Sequence, residues 1–432
     1  MRLTHFALLA CTAFVLTGCN DTLETVERDV SHVKNKVDYP LSPSILAEID
    51  KRGMDRTSPI MIRIFKEEGA LEIWKARRDN RFEKIAGYEI CAWSGKLGPK
   101  VKEGDRQAPE GFYNLTPAHL NPNSKYYLAI NTGFPNRYDA ANGRNGTNLM
   151  IHGACSSSGC YSMTDAQILE IYGFARDAFK GGQKTVQLQA FPFRMTAENM
   201  ARHRQSEHLE FWKMLKVGYD NFEVTKRPPE VNVCEKKYVF NQQTAGGSFN
   251  ASAQCPGMST PPALVSALSS YEKTYDLAYE KAMKKYDGMA WYDPSEAERK
   301  ALVAEKRKGR EPAYAPTGSA LKAGKLMKET EFAALMEKKA QQVTSSSPAT
   351  AATASSLRGP RTSTPQPTAP QSNPAPAAPT MVATATPAPS ANGQSGAAAQ
   401  GIPVPALNPL AYSAPAPEAP EKKPFWKFWA KE

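Results

Sequence analysis

Between Pro59 and Phe193 the chain is cut into short apolar segments that alternate with polar residues and are parted by Gly, Pro and Asn. This alternation is the tightest constraint on the fold. Successive strand residues face opposite sides, so each segment buries its apolar half only within a sheet. "MIRIFKEEGALEIWKA" holds two such segments around Glu68-Gly69 and reads as a β-hairpin. "FEKIAGYEICAWSG" adds a third strand, and "EGFYNLTP", "YYLAINTGF", "NLMIHG" and "TVQLQAFPF" add further short ones. One stretch changes period. In "MTDAQILEIYGFARDAFKGG", Ile168, Leu169, Ile171, Tyr172, Phe174 and Ala178 share a helical stripe that stops at Gly181-Gly182. Residues 58–193 are therefore expected to form a β-rich mixed sandwich with one amphipathic helix.

The flanks read differently. Residues 20–57 are polar, carry Pro40, Ser42 and Pro43, and suggest a tether with at most a short helix. Thr196 predicts the N-cap of a helix to about Leu215, within a helical extension over 194–256. A basic helical region, 257–343, follows. Leu264, Leu268, Tyr271, Tyr275, Tyr279 and Met283 mark one face of its first helix. Ser295 with Glu298 suggests a capping box for the next, and a last helix is expected from about Ser319 to Val343. No long heptad array favours a coiled coil. From 344 to 420 the chain is Pro, Ala, Ser and Thr, too poor in large apolar residues to offset ordering entropy, so disorder is expected. At 421–432, "EKKPFWKFWAKE" makes a basic-aromatic tip suited to a membrane interface or a protein surface.

The start, "MRLTHFALLACTAFVLTGCND", has Arg2 before an apolar run from Phe6 to Leu16 that is too short to span a bilayer. Leu16-Thr17-Gly18-Cys19 is similar to the lipobox of a bacterial lipoprotein signal, with an ordinary secretory signal as the alternative. The similarity implies removal of the signal (1–19) up to a lipidated Cys19, a membrane anchor through that residue, and a periplasmic protein. Asn20, in place of an aspartate, tilts the anchor towards the outer membrane. Export argues against nucleic acid as a partner, despite a net charge of +11 that suits an anionic polymer. It also favours paired cysteines. With Cys19 lipidated, Cys91, Cys155, Cys160, Cys234 and Cys255 remain. An odd set leaves one thiol to be flagged as reactive.

"LMIHGACSSSGCYSMTD" holds the chemistry. A thiol attacks as its thiolate, and a neighbouring histidine can take the proton. His152 ends an expected strand, and Ser157, Ser158 and Gly159 precede Cys160 with the small residues a sharp turn needs. Such a turn aims amides at a developing oxyanion, and the helix starting near Thr164 would lower the thiol pKa. Two other readings compete. His152, Cys155 and Cys160 could begin a zinc site, although a fourth ligand and the usual spacing are missing. Alternatively, Cys155 and Cys160 form a disulfide beside a bystander histidine. A thiol redox protein is disfavoured because there is no CxxC.

These residues resemble a known signature. "IHG" followed by "SSGCYSM" is similar to the active-site motif of the L,D-transpeptidase (YkuD) family, and "APEGFYNL" to the segment that precedes it there. The closer likeness, from about Pro59 to Val233, is to the YafK-like branch, through "LGPKVKEGDRQAPEGFY", "KYYLAINTGFPNRYD", "PFRMTAENMARH" and "KVGYDNFEVTKRPP". The resemblance implies the L,D-transpeptidase catalytic domain fold, with Cys160 as nucleophile and His152 as base. It implies that the Gly153 carbonyl sets the imidazole tautomer and that the amides of Gly159 and Cys160 bind the oxyanion. It also implies a Cys91–Cys155 disulfide, with Cys234 paired to Cys255. Ser158 and Ser162 depart from the broad family, which has a histidine and an arginine or asparagine there. Arg137, Arg144 and Arg194, with Tyr161, are the candidates for binding substrate.

No metal or cofactor is implied. The implied substrates are peptidoglycan stem peptides, attacked at the L-centre carbonyl of meso-diaminopimelate. An amine resolves the thioester by crosslinking; water resolves it by release, including release of a peptidoglycan-linked outer-membrane lipoprotein. The alternative is a non-catalytic lipoprotein that docks on peptidoglycan.

Overall fold

The computed structural model describes residues 29–155, 157, 159–307 and 324–345. Cys19, Ser158, residues 346–420 of the expected disordered stretch and the basic-aromatic tip lie outside the described residues. Helix α1 (Pro43–Lys51) comes first, capped by Ser42, whose Oγ accepts the Ile45 amide. The strands β1 (Ile60–Phe65), β2 (Ala70–Ala76), β3 (Phe82–Glu89) and β4 (Ala92–Trp93) follow. Next are β5 (Gly111–Leu115), β6 (Leu120–Asn121), β7 (Ala129–Asn131) and the short helix α2 (Arg137–Ala141). β8 (Met150–His152) and β9 (Tyr161–Ser162) precede α3 (Asp165–Lys180) and β10 (Val186–Phe191).

The strands form two five-stranded sheets, ordered β3-β2-β1-β10-β5 and β4-β9-β8-β7-β6. β1 and β2 make the expected antiparallel hairpin, while β10 joins β1 in parallel. The chain leaves the first sheet at Ile90 and enters the second at Ala92. Both sheets feed one apolar core, with α3 packed against β1 of one and β7 and β8 of the other. Thr164 and Gln167 close the start of α3 reciprocally: each side chain accepts the other residue's amide.

Four expectations need correction. Residues 30–57 are not a tether, because Val30, Val33, Leu41, Ile45 and Ile49 are buried in the common core. Leu41, Ile45 and Ile49 recur at four-residue steps, an apolar stripe too short to stand out among polar neighbours. Arg176 on α3 fastens the segment by donating to the carbonyls of Val37 and Tyr39.

The helix expected from Thr196 to Leu215 is two helices, α4 (Ala197–Arg202) and α5 (Leu209–Thr225). The break falls at His203, which is drawn inward: its Nε2 lies 2.7 Å from Glu67 Oε2, and its ring stacks on Phe193 at 4.4 Å. The rest of 194–256 is not helical. β11 (Val231–Cys234) and β12 (Lys237–Phe240) form a hairpin, and β13 (Gln243–Thr244) pairs with β14 (Met258–Ser259).

Beyond them, α6 (Pro262–Lys285) runs where its apolar face predicts and packs on α4 and α5. α7 (Glu296–Arg307) has the Ser295–Glu298 capping box. The last expected helix begins instead as a strand, β16 (Lys325–Lys328), paired with β15 (Met289–Tyr292) before α8 (Glu329–Ser345). This extension is anchored to the catalytic region. Arg204 donates to the carbonyls of Tyr286 and Met289, and Arg299 lies over the Trp93 ring at 5.0 Å.

Candidate active site

β8 and β9 are parallel neighbours joined by only eight residues, 153–160. Parallel neighbours ordinarily need a crossover of a dozen or more. The chain manages the return with left-handed backbone at Ala154 (φ 63°), Cys155 (φ 47°) and Gly159 (φ 120°). A disulfide ties Cys155 to Cys91, at the point where the chain passes between sheets. A second joins Cys234 to Cys255, so Cys160 is the free thiol among the described residues. With Cys155 bonded to Cys91, neither a Cys155–Cys160 bridge nor a zinc ligand set that uses Cys155 is available.

His152 ends β8, facing Ala129 on β7 and Ser162 on β9. Its Nδ1 lies 2.6 Å from the Gly153 carbonyl oxygen. That oxygen only accepts, so Nδ1 carries the proton and Nε2 of the neutral ring is the unprotonated nitrogen. Ile151 pairs with Tyr161, so one step earlier Cys160 falls beside Met150. Paired residues of parallel strands point the same way, which puts Cys160 on the imidazole's side of the sheet. Two residues along and one strand across separate the two Cα atoms by about 8 Å. Side chains reaching from both ends can close that gap.

Around the thiol, Sγ lies 3.5 Å from the Asn148 carbonyl oxygen, to which it donates. The Ser157 hydroxyl accepts the amides of Gly159 (3.3 Å) and Cys160 (3.1 Å) and donates to the Cys160 carbonyl (2.7 Å). The amides implied as oxyanion donors are thus already aimed together at one oxygen, supplied by Ser157. A substrate oxyanion would take that oxygen's place. Gly159 is required for its backbone angle, since a Cβ there would have room, 3.7 Å from the Gln107 carbonyl oxygen. Gly153 is required for space: a Cβ would sit 2.5 Å from Asp165 Oδ1.

Burial dominates the electrostatics. It raises the Cys160 pKa and lowers that of His152, although the Gly153 carbonyl pulls the imidazole partly back. Both effects favour a neutral thiol beside a neutral imidazole at rest, not a thiolate–imidazolium pair. Lys100 is the cation that eases the thiol towards thiolate. It is buried, with its ammonium held by Asp105 (2.6 Å) and the Lys102 carbonyl (3.0 Å). The start of α3 meets the turn and not the thiol: Asp165 accepts the Ala154 amide at 2.9 Å.

The expected substrate contacts fare less well. Tyr161 is fully buried with its hydroxyl on the Pro109 carbonyl at 2.6 Å, so it is a core residue. Arg194, just past β10, is held against the first sheet, paired with Glu72 at 2.6 Å over the Phe65 ring. Arg144 is held by Asp139 at 3.1 Å and stacked on Tyr138 and Phe211. Arg137 is exposed and donates to the Phe249 carbonyl. Lys100 and Tyr126, absent from the sequence expectations, and Ser157, expected only as a small turn residue, line the site through contacts with no local signature. The Tyr126 ring lies against His152, centroids 4.5 Å apart.

Comparison with known proteins bears on the family. The YkuD family, described as the L,D-transpeptidase catalytic domain, matches residues 68–186. The protein provisionally named L,D-transpeptidase YafK, from each of two Escherichia coli strains, is 48% identical over 185 residues, 43% of this chain and 75% of the relative. Among solved structures, the helical cell shape determining protein Pgp2 of Campylobacter jejuni, in a mutant form, aligns with 20% identity and a TM-score of 0.26. That alignment covers 42% of this chain and 65% of Pgp2. Bd1075 of Bdellovibrio bacteriovorus aligns with 19% identity and a TM-score of 0.24, over 55% of this chain and 75% of Bd1075. On the identity to YafK and the length matched, the chain belongs to the YafK-like branch of the L,D-transpeptidase (YkuD) family.

Proposed function

We propose that the chain is a cysteine acyltransferase of the cell wall. Its substrates are peptidoglycan stem peptides, cut at the L-centre carbonyl of meso-diaminopimelate. Cys160 attacks that carbonyl as His152 Nε2 takes the thiol proton, and the amides of Gly159 and Cys160 receive the oxyanion. Collapse forms a thioester and expels the amine, which leaves with the proton returned by His152. An incoming amine then crosslinks, or water releases the acyl group, as in release of a peptidoglycan-linked lipoprotein. The observation that carries this reading is the commitment of His152 Nδ1 to the Gly153 carbonyl, which leaves Nε2 as a base on the same side as the free thiol. A lipidated Cys19, outside the described residues, would hold the enzyme at the periplasmic face of the outer membrane.

Replacing Cys160 by Ala tests the proposal. Wild-type protein incubated with a carbapenem should gain one covalent adduct by mass spectrometry, and C160A none. Muropeptides from cells carrying C160A should differ from wild type. Unchanged muropeptides together with an adduct on C160A would leave a docking lipoprotein as the better reading.

A further inference from the structure

We propose that Tyr126 is a positioning residue for His152, a hydrophobic cover that keeps the imidazole dry and fixes the peptide that sets its tautomer. The proposal rests on reading His152 as the base. The two rings lie 4.5 Å apart with a 32° tilt. Tyr126 is 49% exposed and His152 only 3%, so the phenol ring stands between the imidazole and solvent. The same residue also grips the backbone. Its carbonyl accepts the Gly153 amide at 3.1 Å, and Gly153 in turn presents the carbonyl that holds Nδ1. Tyr126 thus touches His152 directly and again through one intervening peptide.

The loop is shaped for this. Ser124 Oγ accepts the Tyr126 amide at 3.0 Å, and Tyr127 adopts the left-handed region at φ 68°. Such backbone is costly for an aromatic residue and persists where the surroundings impose it. It separates the two tyrosines: Tyr127 turns in, its hydroxyl on the Val30 carbonyl at 2.9 Å, while Tyr126 stays over the imidazole. Among the described residues no group bonds the Tyr126 hydroxyl, so the ring is the working part.

The titratable groups on the elements around His152 are Cys160 and Tyr161 at β9, Asp165 at the start of α3, and Lys125, Tyr126 and Tyr127 on the loop before β7. None of them outweighs burial, the largest influence on the imidazole, which lowers its proton affinity. Stripping the cover therefore lets water in and raises that affinity towards the ordinary histidine range. The base then stays protonated to higher pH.

The test uses the full chain and its Y126A and Y126F variants. His152 is titrated by NMR of ring-labelled histidine, and Cys160 acylation by a carbapenem is followed against pH. In Y126A the His152 midpoint and the acid limb of acylation should both move to higher pH, and Y126F should return both to wild-type positions. An unmoved midpoint in Y126A, or Y126F behaving as Y126A, overturns the proposal. A midpoint that moves while the acid limb stays put overturns it too, and locates the fault in the assignment of His152 as base.

Discussion

Lys66 follows β1, in the turn leading to β2, and has no contact with solvent. Its ammonium lies 2.9 Å from Glu110 Oε1, 2.8 Å from the Lys96 carbonyl and 3.1 Å from those of Gly98 and Ala108. Glu110 also accepts the Gly98 amide and the Trp212 indole N–H. One cation thus gathers the ends of the 96–108 loop, whose Arg106 and Gln107 lie within 4.0 Å of where a Gly159 Cβ would be. Replacing Lys66 by Met leaves a buried carboxylate with two neutral donors and three carbonyls without their cation. Breaking a buried pair from one side costs about 3–5 kcal/mol. With an m-value of about 3 kcal/mol per M, the urea midpoint should fall by about 1–1.7 M. Removing the second charge in K66M/E110Q should recover part of that loss, and the difference is the coupling read by a double-mutant cycle. A loss below about 1 kcal/mol in K66M, or a double variant no more stable than the single, would refute this account of the loop.

Two further outcomes follow from the same physics. Gly159→Ala should slow carbapenem acylation by about 100-fold while costing only about 1–3 kcal/mol in a urea melt, because the added methyl has room and only the backbone angle suffers; acylation at the wild-type rate would refute the role given to that turn. Asp220, buried beside Lys216 on α5, has its carboxyl pushed up to about 6 from an ordinary 3.8. The folded protein therefore binds the extra proton, and this site's stabilisation is lost as pH rises from 4 through 6. The stability of D220N relative to wild type should shift by about 2–2.5 kcal/mol in the variant's favour between pH 4 and 7, measured by urea melts at each pH; a flat difference would refute the assignment.

Much of the architecture was legible because it is local. The hairpin about Glu68-Gly69, the strand ending at His152 and the helix that stops at Lys180 each advertise themselves by period and punctuation within one short window. What escaped depends on partners far along the chain. The break at His203 exists because Glu67 and Phe193 draw that ring inward, and nothing between residues 203 and 208 requires it. β16 is a strand because β15 offers it an edge, although its residues also suit the helix that follows. At the site, the thiol and imidazole stand out as chemistry. Tyr126, Ser157 and Lys100 do not, since a stacking ring, a capping hydroxyl and a buried ammonium acquire meaning only from what they touch. The arginines misled for the converse reason: charge shows in a sequence, but Glu72 and Asp139, which already claim two of them, do not announce themselves as partners.

The hop from β8 to β9 has one more implication. With its middle pinned by the Cys155–Cys91 disulfide, an eight-residue return has no slack, so adding or removing one residue between His152 and Cys160 would shift the sulfur along the sheet relative to the imidazole. The interval works as a ruler. Its length carries as much of the chemistry as the two side chains it measures between.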